Sequence, residues 1–295
     1  MKTIEMSLRD YTYYYTIEKN SRDRIAPIVF INGAFQNMKS WHPISQYLSE
    51  WTTTIVLDLP GWGLADHLPA NIDFGIYAEA INNVLKEEGV EVVNVISTSY
   101  GTPIATQFAK RYPAKIDHLI LTAPLMEINP ALKTQYQLLE DIISKKDLPT
   151  LAEFLFDIGL MNSKEGEKGN ILQFELISAL FKQQILRLSE DKLQKFMSNT
   201  DRIMSYGSSS IAGIENMKTL VLTGQYDTFT SCGEGRALAV RFANAEFYEV
   251  PAADHLFLFE NPEFATKLIS DFLIGSEAAG CLSRTSKSAS LALSQ

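Results

Sequence analysis

Three residues in this chain have the types and spacing to do covalent chemistry. Ser99 stands in Ser97-Thr98-Ser99-Tyr100-Gly101, between a run with buried-strand character and a helical one. Small residues two before and two after such a serine let strand and helix approach closely, and the sharp turn between them projects the hydroxyl. A serine hydroxyl is a weak nucleophile until a base takes its proton, and that base needs an orienting acid. Of the four histidines, His42, His67, His118 and His255, the last follows the final strand-like run, and Asp227 ends the run before it. The pattern predicts Ser99 as nucleophile, His255 as general acid and base, and Asp227 as the group orienting His255. An oxyanion needs main-chain donors, here the N–H of Tyr100 and that of Ala34 in Gly33-Ala34-Phe35. Taken singly, each residue has a plain structural explanation as a turn or cap; their shared order is harder to explain that way.

The surrounding elements must bring these loops together. Thr3 to Glu18 reads as two alternating strands broken near Arg9-Asp10. Ile28 to Ile31, Thr54 to Leu57, Val92 to Ile96 and Leu119 to Leu121 are continuous apolar runs, as expected of strands buried on both faces. Helical patterns separate them at Trp41–Leu48, around Ile76–Leu85 and at Thr102–Lys110. Alternation of this kind implies an α/β fold, a mostly parallel sheet flanked by helices. It stops between Glu127 and Ser210, where only helical patterns occur, and resumes with Thr219–Thr223, Phe247–Val250 and a last helix around Phe264–Leu273. The expected organisation is a core of residues 1–126 and 215–275, a helical cap over 127–214, and a Ser/Ala-rich, disordered tail over 276–295.

Composition narrows the function classes. The 295 residues are 46% hydrophobic and 21% charged, with 26 Lys plus Arg against 35 Asp plus Glu and a net charge of -9. A chain this acidic has no overall attraction for phosphate backbones or anionic lipid, so neither nucleic acid nor stable membrane insertion is expected. Cys232 and Cys281 form no clustered metal motif, and neither G-x-G-x-x-G nor a P-loop is present, so no metal or other cofactor is expected. The amino terminus has no apolar block, and a reducing cytoplasm is the simplest setting.

The motifs together resemble the α/β-hydrolase superfamily over about residues 25 to 275. They are Asp58-Leu59-Pro60-Gly61-Trp62-Gly63, the turn at Ser99, the Gly-x-x-Asp ending at Asp227, and His255 with Glu260 and Pro262 behind it. A narrower similarity, carried by Asn32-Gly33-Ala34 and Ser97, is to bacterial 3-hydroxyacyl transferases: the rhamnolipid-precursor synthase making 3-(3-hydroxyalkanoyloxy)alkanoic acids, and the 3-hydroxyacyl-ACP:CoA transacylase. Thr230 and Ser231 also fit that subgroup. Tyr100-Gly101-Thr102 departs from its Trp-Gly-Gly, and Asp254 stands where a Gly normally precedes the histidine. The resemblance implies a fatty-acyl thioester substrate on CoA or acyl carrier protein, with Phe35 and Thr230 as substrate contacts. The alternative is a hydrolase of carboxylic esters or thioesters with the same three residues. An acidic carrier protein needs a basic patch, and Lys182, Arg187, Lys192, Lys195 and Arg202 of the cap are the candidates.

Overall fold

The computed structural model describes residues 2–128, 130–157, 170–206 and 211–275. In chain order its strands are β1 (Thr3–Leu8), β2 (Tyr11–Glu18), β3 (Ile28–Ile31), β4 (Thr54–Asp58), β5 (Val93–Thr98), β6 (Ile116–Thr122), β7 (Lys218–Gly224) and β8 (Asn244–Val250). The helices are α1 (His42–Leu48), α2 (Gly75–Glu87), α3 (Gly101–Arg111), α4 (Pro130–Ser144), α5 (Leu148–Leu155), α6 (Phe174–Leu186), α7 (Glu190–Tyr206), α8 (Cys232–Ala239), α9 (Phe257–Glu260) and α10 (Pro262–Ile274). The eight strands form one sheet in the order β1-β2-β4-β3-β5-β6-β7-β8, antiparallel at β1/β2 and β2/β4 and parallel elsewhere. The α/β expectation therefore holds, with α4 to α7 lying between β6 and β7. The expected disordered tail lies outside the described residues, as does Cys281.

The continuous apolar runs are explained by burial on both faces. Val29, Ile31, Ile55, Leu57, Val95, Leu119, Leu121 and Val221 pack in one core with α2, α3 and the inserted helices. Their neighbours Ile28, Phe30, Val56, Ile96, Ile120, Leu220 and Leu222 pack in the other with Trp41, α1 and α10. A period of two along each strand sorts the side chains to opposite faces. The outer strands β1 and β8 alternate between exposed and half-buried residues instead, as sheet edges do.

From β3 the chain steps outward to β4 and then crosses back to β5, so β3 and β5 are neighbours whose connections leave in opposite directions. In open α/β sheets this reversal opens a crevice at the carboxyl ends of the strands, where ligands bind. The loops carrying Ala34 and Ser99 both end there. No helix among the described residues is long and apolar enough to cross a membrane.

Helix α7 is bound to the sheet domain by Arg202, which is 2% exposed. Its guanidinium donates to the carbonyls of Leu68 (2.8 Å), Pro69 (2.7 Å) and Ile72 (2.8 Å), to Tyr77 Oη (2.8 Å) and to Asn199 Oδ1 (2.6 Å). All five of its donors are thus used. Arg202→Leu should cost about 3 kcal/mol, because three buried carbonyls lose their partner; urea unfolding measures it. Arg202→Lys should restore little of this, since an ammonium cannot span five acceptors.

Candidate active site

Strand β5 passes into α3 through two residues, Ser99 and Tyr100, and the φ of Ser99 is +47°. That left-handed conformation is unfavourable for a residue with a Cβ, and such strain concentrates at functional positions. The turn is held by the Ser99 N–H, which donates to Thr122 O (3.0 Å), and by Thr102 N–H, which donates to Ser99 O (2.9 Å). Gly101 is closely confined: a Cβ there would lie 3.0 Å from the carbonyls of Ile31 and Asn32, tighter than most side-chain contacts. Ser97, in the matching position before the turn, is fully buried, and its hydroxyl has no hydrogen-bond partner among the described residues.

The loops after β5, β7 and β8 bring the three predicted residues together. Ser99 Oγ lies 3.1 Å from His255 Nε2, and His255 Nδ1 lies 2.9 Å from Asp227 Oδ2. All three are buried, with Ser99 8% exposed. Asp227 Oδ1 accepts the N–H groups of Phe229 (2.9 Å) and Thr230 (2.8 Å), so the carboxylate is fixed by its own turn. The Phe229 ring meets His255 edge-on at 5.0 Å. This arrangement can pass a proton from a nucleophilic hydroxyl to an imidazole whose second nitrogen faces a carboxylate.

The loop after β3 is braced by side chains to which sequence reasoning assigned no role. Asn32 Nδ2 donates to Leu57 O (2.7 Å) and Asp58 Oδ1 (3.2 Å), while its Oδ1 accepts from Trp41 Nε1 (2.9 Å). Asp58 also accepts from the N–H groups of Met38 (2.8 Å) and Leu64 (3.0 Å). Burial pushes the Asp58 carboxyl up from its ordinary range, against the pull of these donors. Trp62 Nε1 donates to Gly33 O (3.0 Å), and the Gly33 N–H donates to Gln36 Oε1 (2.9 Å). The signal was present, since Asn32 and Asp58 to Gly63 stand out as motifs, but their pairing is long-range.

Two cavities meet at this loop. One, of about 40 Å³, is lined by Ala34, Phe35, Ser99, Phe181, His255 and Phe259 among others. The second, of about 70 Å³, lies over Ala34, Trp62, Tyr100, Lys192, Phe196 and Asn199. Phe35 lines both; its φ is +59°, and its ring stacks on Phe196 at 4.0 Å and meets Phe181 edge-on at 6.3 Å. Its carbonyl accepts from Gln184 Nε2 at 2.6 Å. Tyr100 follows Ser99 at the start of α3, and its buried hydroxyl donates to Asn199 O at 2.6 Å, tying α7 down beside the site.

Several expectations need correcting. Thr230 does not line the cavity at Ser99: its hydroxyl donates to Asp227 Oδ2 (2.8 Å), 3.3 Å from His255 Nδ1, and it borders a different pocket. His67 meets Ser198 Oγ of α7 at 2.7 Å. His42 is exposed, and His118 contacts Asn94 and Phe272. The proposed basic patch largely dissolves. Arg202 is buried, Lys195 is 7% exposed and paired with Asp191, and Lys182 is paired with Glu153. A helical polar face looks solvated in sequence, but here it turns inward because the loop at 68–72 presents carbonyls that need donors. Among the described residues no group of three or more His, Cys, Asp or Glu side chains could hold a metal ion.

Comparison with known proteins agrees with this architecture. A family model described as alpha/beta hydrolase fold matches residues 26–262, and the chain belongs to that family. Among its relatives is the 2-hydroxy-6-oxononadienedioate/2-hydroxy-6-oxononatrienedioate hydrolase of Paraburkholderia phymatum, 23% identical over 83% of this chain and 86% of the relative. The 2-hydroxy-6-oxo-6-phenylhexa-2,4-dienoate hydrolase of Comamonas testosteroni is 22% identical over 92% and 94%. The enol-lactonase of Burkholderia xenovorans superposes with a TM-score of 0.76 at 18% identity, covering 92% of this chain and 99% of its own. The protein is a hydrolase-family enzyme, and the narrower similarity to 3-hydroxyacyl transferases finds no support in these relatives.

The strained turn has a measurable consequence. Ser99→Gly should be about 1 kcal/mol more stable than Ser99→Ala, since glycine alone adopts this φ freely. Equal urea midpoints for the two variants would contradict the strain.

Proposed function

We propose that the protein hydrolyses a carboxylic ester or thioester with an uncharged, apolar acyl group, through an acyl-Ser99 intermediate. The observation that carries this reading is the unbroken chain from Ser99 Oγ through both nitrogens of His255 to Asp227 Oδ2. As Ser99 Oγ attacks the carbonyl carbon, His255 Nε2 takes its proton. The oxyanion is received by the N–H groups of Ala34 and Tyr100, which belong to the loops at the carboxyl ends of adjacent strands. The imidazolium then protonates the departing alkoxide or thiolate. Water follows: His255 removes its proton, the hydroxide attacks the acyl carbon, and the proton returns to Ser99 Oγ. Asp227 accepts from His255 Nδ1 and holds the imidazole in the productive tautomer.

The acyl group is argued from the wall it would touch. Phe35, Phe181, Leu256, Leu258 and Phe259 line the cavity at Ser99, and no Lys or Arg is among its described lining residues. An anionic chain there would lose hydration without gaining a counter-charge. Of the substrates in the relatives' names, the dienedioates carry a second carboxylate that this wall would leave unpaired, whereas the 6-phenyl dienoate presents an apolar ring beside its carbonyl. Transfer to a second 3-hydroxyacyl unit would share the acyl-enzyme and differ only in the attacking hydroxyl. The relatives, being hydrolases, favour water. A carrier-protein donor is disfavoured by the pairing of Lys182 and Lys195 and the burial of Arg202. We take α4 to α7 as the cap, with Phe181 and Phe196 supplying its apolar inner face.

The test is product analysis on nitrophenyl esters of graded length, 3-hydroxydecanoyl thioesters and a 2-hydroxy-6-oxodienoate. Free acid from neutral esters is expected. A dimeric 3-hydroxyacyl ester would replace hydrolysis with transfer, and turnover of the dienoate alone would replace ester cleavage with carbon–carbon cleavage. Ser99→Ala should lower kcat at least about a thousandfold with KM little changed. Near-normal turnover in that variant would sink the mechanism.

A further inference from the structure

Beneath His255 lie two carboxyl groups that the mechanism does not use. Asp254 and Glu260 are each 1% exposed. Glu260 Oε2 accepts the Asp254 N–H at 2.8 Å, and Asp254 Oδ1 accepts the Leu256 N–H at 3.0 Å. The main-chain N–H on either side of His255 is therefore held by this pair. The two carboxyls are also near enough to act on one another electrostatically. Yet Asp254 Oδ2 and Glu260 Oε1 are buried with no donor among the described residues. Two facing carboxylates, both ionised and without a cation, would repel at close range in a medium that screens poorly. One shared proton removes the repulsion and turns the contact into a strong hydrogen bond.

We propose that Asp254 and Glu260 share one proton, and that this proton positions the loop carrying His255 and makes its hold on the imidazole pH-dependent. The inference rests on the reading of His255 as the catalytic base; the pair touches no substrate and acts through that residue. The groups that bear on it are Asp227, from the loop after β7, and His255 itself. Gln173, at the start of α6, contributes only an amide to the Glu260 carbonyl. Burial raises both carboxyls, Glu260 most, so the proton is kept at neutral pH. The sign follows: as pH rises past the raised value the proton leaves, the charge on the pair goes from minus one to minus two, and the loop is pushed apart. Activity should therefore fall on the alkaline side. The backbone leaves little room to absorb the change, because a Cβ on Gly224 would already lie 2.1 Å from Asp254 O.

E260Q tests this, since its amide can accept from the Asp254 N–H and donate to the Asp254 carboxylate without titrating. It should keep kcat within about threefold of the parent at neutral pH and lose the alkaline fall. E260L, which can do neither, should lose about tenfold or more in kcat with a smaller change in KM. D254N/E260Q removes the pair's charge and should likewise lose the alkaline fall. An alkaline limb unchanged in E260Q would overturn the proposal. A readout independent of turnover is infrared spectroscopy of the folded parent at neutral pH. It should show a protonated-carboxyl band that vanishes in E260Q; no such band also overturns the sharing. Because the band persists in Ser99→Ala if the pair is as described, failure of this inference and failure of the catalytic reading are separable.

Discussion

One backbone constraint organises the molecule: β5 must become α3 within two residues, Ser99 and Tyr100. A strand buried on both faces leaves no room for a wide loop, and the only sharp reversal open to the chain puts Ser99 at positive φ. The same reversal seats α3 close against β3, which is why a side chain at Gly101 would meet the carbonyls of Ile31 and Asn32. The hydroxyl is then presented at the mouth of the crevice between β3 and β5, where connections diverge and no strand covers it. Everything else at the site is an adjustment to that one projecting side chain.

The adjustment on the β3 side is polar and buried. A loop that lends N–H groups to an oxyanion cannot satisfy all of them internally, so it must be held by other contacts. Here Asn32, Asp58, Trp41 and Trp62 supply those contacts. Low local dielectric strengthens such a network only while every member is paired. That explains an asparagine at position 32: its amide donates to Leu57 and Asp58 while its oxygen serves Trp41. Phe35, two residues past Gly33, then takes up a positive φ that a bulky residue adopts only under constraint, and its ring becomes the partition between the two cavities.

How much of this is legible in sequence depends on the range of the interaction. The parallel sheet was readable because burial on both faces writes itself as continuous apolar runs such as Ile28 to Ile31. Ser99, Asp227 and His255 were readable as candidates because each ends a strand-like run and needs only local turn chemistry to be placed. The pairing of Asn32 with Asp58, or Tyr100 with Asn199, joins residues 26 and 99 positions apart and leaves no local trace. Arg202 and Lys195 misled for the same reason. On α7 they have the spacing of a solvated basic face, and only the carbonyls of distant loops reveal that it faces inward.

Fixing α7 in this way bears on which nucleophile attacks the acyl-enzyme. A transferase has to keep water from the acyl carbon while holding a second hydroxyl beside it, so its cover must close over both chains. Tyr100 and Arg202 instead tie α7 down, through a 2.6 Å phenol bond to the Asn199 carbonyl, three guanidinium bonds to the loop at 68–72 and a fourth to Tyr77 of α2. A cover anchored this firmly beside the crevice defines one slot of limited volume, about 40 Å³ at Ser99, walled by Phe35 and Phe181. Water needs no further room than the acyl group leaves, whereas a second acyl chain would have to enter past the Phe35 partition into the neighbouring cavity. The rigidity that protects the strained serine turn therefore also favours the smaller acceptor.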